Sequence, residues 1–374
     1  MATIKRRSDR GNRWEVRYRD PEGKQRARLF DRKVDAERFV TGVEHSKLTG
    51  SYVDPSAGKI TFASFAEEWR AVQVHRPGTT QSVEQQLRCH VYPLIGNRPI
   101  AAIRPSEVQG LVQHLGTQLA PSTVEVIYGR VVAVFRAAVR DRVVTSSPCV
   151  DIRKPAKPPA SMLEVLSRDQ VLALAAAMPA RYGALVLTAA GTGLRPGEVF
   201  GLTVDRLDFL RRSLRVDRQL VRVRGAGVAL GPLKTSASYR SVPLAGTVTN
   251  VLAAHLSQWP APAGDPALVF TNERGAPIQQ YPFSVVWEAA ARRAGLPEWA
   301  TPHDLRHYFA SVLIRSGASV KVIQARLGHS SAKTTLDVYG HLFADEEDRT
   351  RAAIDAELGS QSAPDVHQRG SLHG

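Results

Sequence analysis

Near its C-terminus the chain reads Thr301-Pro302-His303-Asp304-Leu305-Arg306-His307, then Gly328-His329, then Tyr339. Far upstream, Arg195 stands in Gly191-Thr192-Gly193-Leu194-Arg195-Pro196. Two arginines, two histidines and one tyrosine are what a phosphodiester transesterification needs if it is to run without a metal or cofactor. The diester carries one negative charge, and its five-coordinate transition state gathers more on the non-bridging oxygens, so preorganised donors there lower the barrier. Guanidinium is planar, permanently charged and matched to phosphate geometry, which assigns Arg195 and Arg306 to the phosphate. A phenol of ordinary pKa about 10 attacks poorly unless a base or nearby cations favour its anion. For Tyr339 that environment is expected from Arg195, Arg306 and His303. The leaving oxygen needs a proton, and a well-placed general acid adds roughly 10²–10⁴-fold. Lys234 is the candidate, because it is the sole lysine between Lys157 and Lys321 and arginine cannot give up a proton at neutral pH.

These residues need elements to hold them. Pro196 suits a first helical position, so a turn through Gly191 and Gly193 delivers Arg195 to a helix start, where anions are favoured. A phosphate-binding P-loop is the competing reading of Gly-Thr-Gly, but no Gly-Lys-Ser/Thr follows. Thr301 and Pro302 open a second helix with Asp304 in the capping-box position. His303 and Arg306, three apart, share a face, while Leu305, Phe309, Val312 and Leu313 are expected to fix that helix in the core. His303 and His307, four apart, also fit half a zinc site; no glutamate lies between them and no cysteine is near, so His307 reads as structural or supporting. Gly328 terminates a helix over 320–327 as a left-handed cap and holds His329 on a defined turn.

In this order and spacing the constellation resembles the catalytic domain of the tyrosine recombinase (phage integrase) family. The resemblance implies that Tyr339 attacks a DNA phosphate to form a 3′-phosphotyrosyl link, later resolved by the 5′-hydroxyl of a second strand. It assigns His329 to hydrogen bonding of the scissile phosphate. Thr334-Thr-Leu-Asp-Val-Tyr339-Gly-His341 is similar to the family's nucleophile segment, and Gly231-Pro-Leu-Lys234 through Leu244 resembles the β-hairpin carrying its catalytic lysine. The expected catalytic set is therefore Arg195, Lys234, His303, Arg306, His329 and Tyr339, with no cofactor and no metal.

The rest of the chain is consistent with DNA handling. Fifty basic against 35 acidic residues give +15, a field that attracts polyanions. With 374 residues, 43% of them apolar, there is material for more than one core. No apolar run reaches the ~18 residues of a membrane span, and no secretory pattern opens the chain. Cys89 and Cys149 offer no disulfide framework, which fits an intracellular, reducing location; the resemblance implies the cytoplasm of a bacterial host, associated with the nucleoid.

Ten basic and four acidic residues lie in the first thirty, +6 by subtraction. There Arg13-Trp-Glu-Val-Arg-Tyr-Arg19 alternates, turns at Asp20-Pro-Glu-Gly23, and alternates again to Phe30 before a helix from Asp31 to about Lys47. Trp14, Val16 and Tyr18 are expected on one face, with Arg13, Arg17 and Arg19 on the other. This module resembles the arm-type DNA-binding domain of phage integrases, with Lys5, Arg6, Arg7, Arg13, Arg17, Arg19, Arg26 and Arg28 as its DNA contacts; a merely solvated basic face is the alternative.

Residues 48–60 read as a linker. Helices are expected over Thr61–Val72, Thr80–Tyr92, from a Ser106 cap, and over Ser122–Val143. With Pro93-Leu-Ile-Gly96 and Ile103-Arg-Pro-Ser-Glu, this region resembles the family's core-binding domain, its aromatic stripe serving packing. Residues 151–160 form a proline-rich second linker, and a capping box at Ser167-Arg-Asp-Gln170 opens the last domain.

The expected fold class is thus multidomain: a small N-terminal β-sheet plus helix (1–56), an all-α core-binding domain (57–155), and a mainly α, α+β catalytic domain (156–350) with a β-rich insert at 212–244. A C-terminal segment and disordered tail follow (351–374). The resemblance implies double-stranded DNA partners, at core-type and arm-type attachment sites, and a homotetramer on DNA. A DNA-bending host factor and an excision factor are further expected partners, with no membrane. The activity expected is integration or excision of a phage or mobile element. Two rivals stand beside it: a chromosome- or plasmid-resolution recombinase, which residues 1–50 disfavour, and a non-catalytic architectural or regulatory DNA-binding protein.

Overall fold

A computed structural model describes residues 2–8, 12–21, 23–49, 52–54, 56–156, 164–223, 227–262, 266–343 and 347–358. The tail expected from Gly359 and the end of the 151–160 linker lie outside the described residues. The chain divides into two compact units, 1–159 and 160–374.

The first unit opens with an antiparallel meander of β1 (Thr3–Arg7), β2 (Arg13–Arg19) and β3 (Gln25–Phe30). Val16 and Tyr18 of the central strand bury against Ala36 and Val43 of α1 (Lys33–Leu48) and against Tyr52. The helix begins two residues after Asp31, with Arg32 as its N-cap. Arg13, Arg17 and Arg19 are exposed on the far face, as the alternation predicts.

The register divides the expected DNA-binding list between the two faces of the sheet. Tyr18 pairs with Arg26 and Val16 with Arg28, and Trp14 pairs with Arg6. Directly paired residues share a face, so Arg6, Arg26 and Arg28 lie on the helix side. There Arg26 is held by Asp20 at 3.0 Å and also pairs with Asp54. Arg28 lies over the Phe30 and Phe39 rings, and Arg6 over Trp14. Lys5, Arg7, Arg13, Arg17 and Arg19 remain on the outer face, where the buried Glu15 takes Arg17 at 3.1 Å and Arg7 at 3.5 Å.

Four helices follow in this unit. Thr61 caps α2 (Phe62–Ala71) by accepting the Ser64 N–H at 3.2 Å. The segment expected to stop at Tyr92 instead begins as α3 (Pro77–Gln86) and runs on through a π-helical stretch, Leu87–Gly96, that contains Pro93. Ser106 is not a cap: α4 (Pro105–Gly116) starts at the proline, and Glu107 accepts the Arg104 N–H at 3.0 Å. The fourth helix, α5 (Pro121–Arg140), ends earlier than Val143. Phe62, Phe65, Leu87, Val91, Ile127, Val131 and Phe135 close the core between them, each such side chain contributing roughly 1.5–3 kcal/mol when fully buried. Phe62 and Phe135 meet at 5.4 Å, so the aromatic stripe does serve packing.

In the second unit, Ser167 and Gln170 cap α6 (Arg168–Ala177) reciprocally, at 3.1 and 2.8 Å. Next come α7 (Ala180–Thr192) and the short α8 (Pro196–Phe200). A three-stranded sheet is ordered β4 (Leu207–Asp208), β5 (Ser213–Val216), β8 (Arg240–Pro243), and β6 (Gln219–Val223) pairs with β7 (Gly227–Gly231) as a ribbon. The helices α9 (Gly246–Gln258), α10 (Gln280–Arg293), α11 (Asp304–Arg315), α12 (Val320–Leu327), α13 (Ala332–Tyr339) and α14 (Glu347–Leu358) complete the unit.

Leu174, Val186, Leu252, Trp287 and Leu305 belong to its main core. A smaller core joins Ala310 and Ile314 of α11 to Ile323, Leu327 and Tyr339. Val312, expected inside, is 37% exposed; the inward stripe runs Arg306, Ala310, Ile314 at four-residue spacing and leaves Val312 on the opposite face. Among the described residues no helix is long and apolar enough to cross a membrane.

Candidate active site

Arg195 is set by the residues around it. Gly193 ends α7 in left-handed backbone at φ 65, and a Cβ added there would come within 2.4 Å of the Phe309 ring. Pro196 then starts α8 with Arg195 as its N-cap. Glu198, one turn on, accepts the Arg195 backbone N–H at 3.0 Å and its Nη1 at 2.9 Å. The Arg195 side chain keeps 32% of its surface open, so part of the guanidinium fork faces outward.

Arg306 is 2% exposed. Its Nη1 donates to the Gly193 carbonyl at 2.7 Å and its Nη2 to the Leu327 carbonyl at 2.6 Å. Arg195 Nη2 reaches the next carbonyl, Gly328, at 3.4 Å. The two guanidiniums therefore converge on one turn, between α12 and α13. Burial first, then the like charges of Arg195 and Arg240, press Arg306 below the usual guanidinium range, with Glu198 acting against them.

Three histidines line the same place. His303 is the N-cap of α11, where Asp304 accepts from the Thr301 N–H at 2.7 Å and its hydroxyl at 2.6 Å. His329 Nδ1 meets the Thr335 hydroxyl at 2.9 Å, and its ring stacks near-parallel to Tyr339 at 6.4 Å. His303 and His307 meet edge-on at 5.1 Å. Burial, then His307 and Arg306, lower His303 to about 4; its solvent-facing side screens part of that effect. Burial, then Arg306 and Arg195, bring His329 to about 4 as well, so both rings are neutral at pH 7. Among the described residues no group of three or more His, Cys, Asp or Glu could hold a metal ion, so the half site of His303 and His307 finds no third ligand there.

Tyr339 is 1% exposed. Its hydroxyl lies 2.8 Å from His307 Nδ1. The cations do favour its anion, as expected, but they are not the largest influence on it. Arg306 and Arg195 do pull the phenol down, but burial outweighs them, and with Asp304 it leaves Tyr339 at about 12. In this state Tyr339 is a neutral phenol.

Lys234 follows β7 and is exposed, unlike the buried cluster. The segment it begins is nonetheless fastened to that cluster. Arg240 donates to Glu198 Oε2 at 2.8 Å, to the Arg326 carbonyl at 2.7 Å and to the Ser238 carbonyl at 2.9 Å. Gly328, at φ 67, sits so close that an added Cβ would lie 3.0 Å from the Ala237 carbonyl oxygen. Burial alone would raise Glu198; Arg240 and then Arg195 bring it below its ordinary value, so it is ionised.

Sequence reasoning gathered Arg195, His303, Arg306, His329 and Tyr339 correctly into one place. It missed Glu198 and Arg240, and it gave His307 no contact with Tyr339. Glu198 had one legible signal, its capping-box offset from Arg195. Arg240 had none beyond its place before Val242-Pro243-Leu244.

Residues 164–346 match the phage integrase family and residues 62–155 match the phage integrase central domain. An integrase of Mycobacterium phage D29 is 27% identical over 346 residues, 88% of this chain and 90% of that protein. A tyrosine recombinase XerD of Corynebacterium glutamicum is 31% identical over 232 residues, 58% of this chain and 70% of that protein. The chain belongs to the phage integrase family. This integrase is a site-specific tyrosine recombinase, and its fold agrees with solved members of the family. A Tn1549 transposon integrase, solved with a circular intermediate DNA, superposes at TM-score 0.69 with 21% identity, covering 80% of this chain and 99% of that one. A lambda integrase, solved as a tetramer bound to a Holliday junction, gives 0.56 at 17% identity, covering 88% and 96%.

Proposed function

We propose that this integrase cuts and rejoins DNA at attachment sites of a phage or mobile element, through a 3′-phosphotyrosyl bond at Tyr339. Arg195 and Arg306 bind the non-bridging oxygens of the scissile phosphate, His303 and His329 add hydrogen bonds there, and Lys234 protonates the leaving 5′-oxygen. One observation carries this reading: two guanidiniums from distant parts of the chain converge on the Leu327–Gly328 carbonyls, and both bear electrostatically on the Tyr339 phenol. Because Arg306 is already fixed by two carbonyls, little reorganisation remains when the phosphate arrives.

The substrate is double-stranded DNA, with residues 1–56 on arm-type sites and residues 57–155 and 156–350 on the core-type site. Four copies assemble on it, by analogy with the lambda tetramer. A DNA-bending host factor and an excision factor complete the reaction, which takes place in the bacterial cytoplasm at the nucleoid. Integration is favoured over chromosome or plasmid resolution by the basic N-terminal module of residues 1–50. The phage D29 protein and a phiRv2 prophage integrase of Mycobacterium tuberculosis align over 88% and 92% of the chain.

A nicked suicide substrate tests the proposal. The wild-type protein is expected to leave a covalent complex on a denaturing gel, and Tyr339→Phe to bind the same DNA without one. An adduct with the Phe protein overturns the nucleophile assignment; no adduct with the wild type favours the non-catalytic rival.

A further inference from the structure

The nucleophile's hydroxyl has one neighbour that the proposed catalytic set leaves unused. His307 Nδ1 stands 2.8 Å from the Tyr339 oxygen, within the distance at which a general base can take a proton. The two rings meet edge-on at 5.5 Å. His303 and His329, which the proposed function puts at the phosphate, show different geometry: His329 stacks on the tyrosine ring with its Nδ1 at the Thr335 hydroxyl, and the His303 ring meets His307 edge-on.

We propose that His307 is the catalytic base that receives the Tyr339 proton during cleavage and returns it during strand rejoining. The inference rests on the recombinase reading above. In the forward step the phenol O–H bond breaks and its proton passes to Nδ1. The phenol oxygen bonds to phosphorus, the bond from phosphorus to the 5′-oxygen breaks, and that oxygen takes a proton from Lys234. The products are a phosphotyrosine, a 5′-hydroxyl, an imidazolium at His307 and a neutral Lys234. Rejoining runs every transfer backwards, so no external acid, base or metal is consumed.

The surroundings suit the role. His307 lies on α11, with Asp304 stabilising its protonated form and Arg306 opposing it, while His303 sits beside it on the same element. From the other packed elements, Tyr339 faces it on α13, and His329 is within electrostatic range on the turn after α12. Burial, the leading influence, holds the imidazole below its ordinary value, so it is an unprotonated acceptor at neutral pH. A neutral ring with its proton on Nε2 leaves the Nδ1 lone pair facing the hydroxyl. The same contact aligns the phenol at rest, while burial keeps it neutral despite two nearby arginines.

The test is single-turnover cleavage of a suicide substrate at saturating DNA, followed from pH 5 to 9, for the wild type, His307→Ala and His307→Asn. Asparagine can place an accepting oxygen near the position of Nδ1 but cannot take the proton, so it separates alignment from base catalysis. Both variants are expected to bind DNA as the wild type does and to cleave about 10²-fold more slowly or worse at pH 7. The wild-type rate should fall in acid below an inflection under pH ~6.5, and the variants should lose that inflection and climb steadily with pH as the phenol ionises. If the alanine protein fails to fold, the asparagine protein carries the comparison. Wild-type speed in His307→Asn, or an unchanged acid inflection, overturns the assignment while leaving the recombinase reading intact, since the wild-type adduct reports on that separately.

Discussion

Glu198 and Arg240 form a closed ion pair, Nη2 to Oε2 at 2.8 Å, with side chains 1% and 5% exposed. One partner lies a turn after Arg195 and the other on the strand following Lys234, so the pair joins the arginine proposed to bind phosphate to the segment that carries the proposed acid. Removing one partner of such a buried pair costs about 3–5 kcal/mol, because a charge is left without its partner. Arg240→Ala is therefore expected to lower the unfolding free energy of the protein by about that amount, less whatever Arg195 recovers for Glu198. It should also slow cleavage more than it weakens DNA binding. Urea denaturation beside a suicide-substrate assay measures both, and unchanged stability would mean that the pair is dispensable.

Arg306→Lys keeps the charge but loses the fork. A single ammonium cannot serve the Gly193 and Leu327 carbonyls as two parallel N–H groups do. One buried carbonyl is left unsatisfied, a loss of about 1–3 kcal/mol. Cleavage should drop by roughly 10²–10³, the usual effect of removing one donor to transition-state charge, while DNA affinity changes little. Equal cleavage by the lysine protein would remove Arg306 from the phosphate.

Acid should weaken the DNA-free protein in two stages. His303 and His329 fall from an ordinary 6.5 to about 4 on folding. Between those values the unfolded chain binds more protons, so stability is complete above pH ~6.5 and declines as pH drops through the window. Carboxylates add to the decline lower down. For Glu67, burial is outweighed by Arg70, Arg88 and Tyr92, which bring it to about 2; its contribution is present above its ordinary 4.5 and fades as pH falls toward the folded value. Melting temperatures flat from pH 7 to 5 would contradict the histidine part.

On the N-terminal sheet, Lys5, Arg13 and Arg19 should act differently from Arg26. Alanine at each of the first three is expected to weaken binding to arm-type DNA and to lower the salt slope by about one per contact. Arg26→Ala, which breaks the ties to Asp20 and Asp54, should loosen the module and leave the slope near wild type. Filter binding over a salt series with thermal melts separates the two, and a reduced slope for Arg26→Ala would return that residue to the DNA face.

What the sequence made legible follows from how each residue's role is encoded. Arg195, His303, Arg306, His329 and Tyr339 sit in short segments with local punctuation: Gly193 and Pro196, Thr301 and Asp304, Gly328, Ser331. Helix starts and stops could therefore be read around them. Arg240 is different. Its burial depends on Glu198 and Arg326, 42 and 86 residues away, and nothing local marks it. The faces of Arg26 and Arg28 turn on the register across Asp20–Gly23, and a shift of one residue would have reversed them. Likewise the π-helical run past Pro93 was hidden, since a proline ordinarily predicts a helix end. His307 could be placed on a helix but not against Tyr339, because the meeting of α11 and α13 is a tertiary event.

Gly193 and Gly328 both end helices in left-handed backbone, at φ 65 and φ 67, and the carbonyls beside those ends are the two that hold Arg306. A cation is thus clasped between the negative poles of two helices, which offsets the cost of enclosing it. If Arg306 receives the phosphate as proposed, that receptor stands ready in the resting protein, and what the arrival of DNA has left to alter is the tyrosine. Control over when strands are broken should accordingly act on the short helix bearing position 339, and a mutation that unleashes cutting at the wrong moment is to be sought there rather than among the arginines.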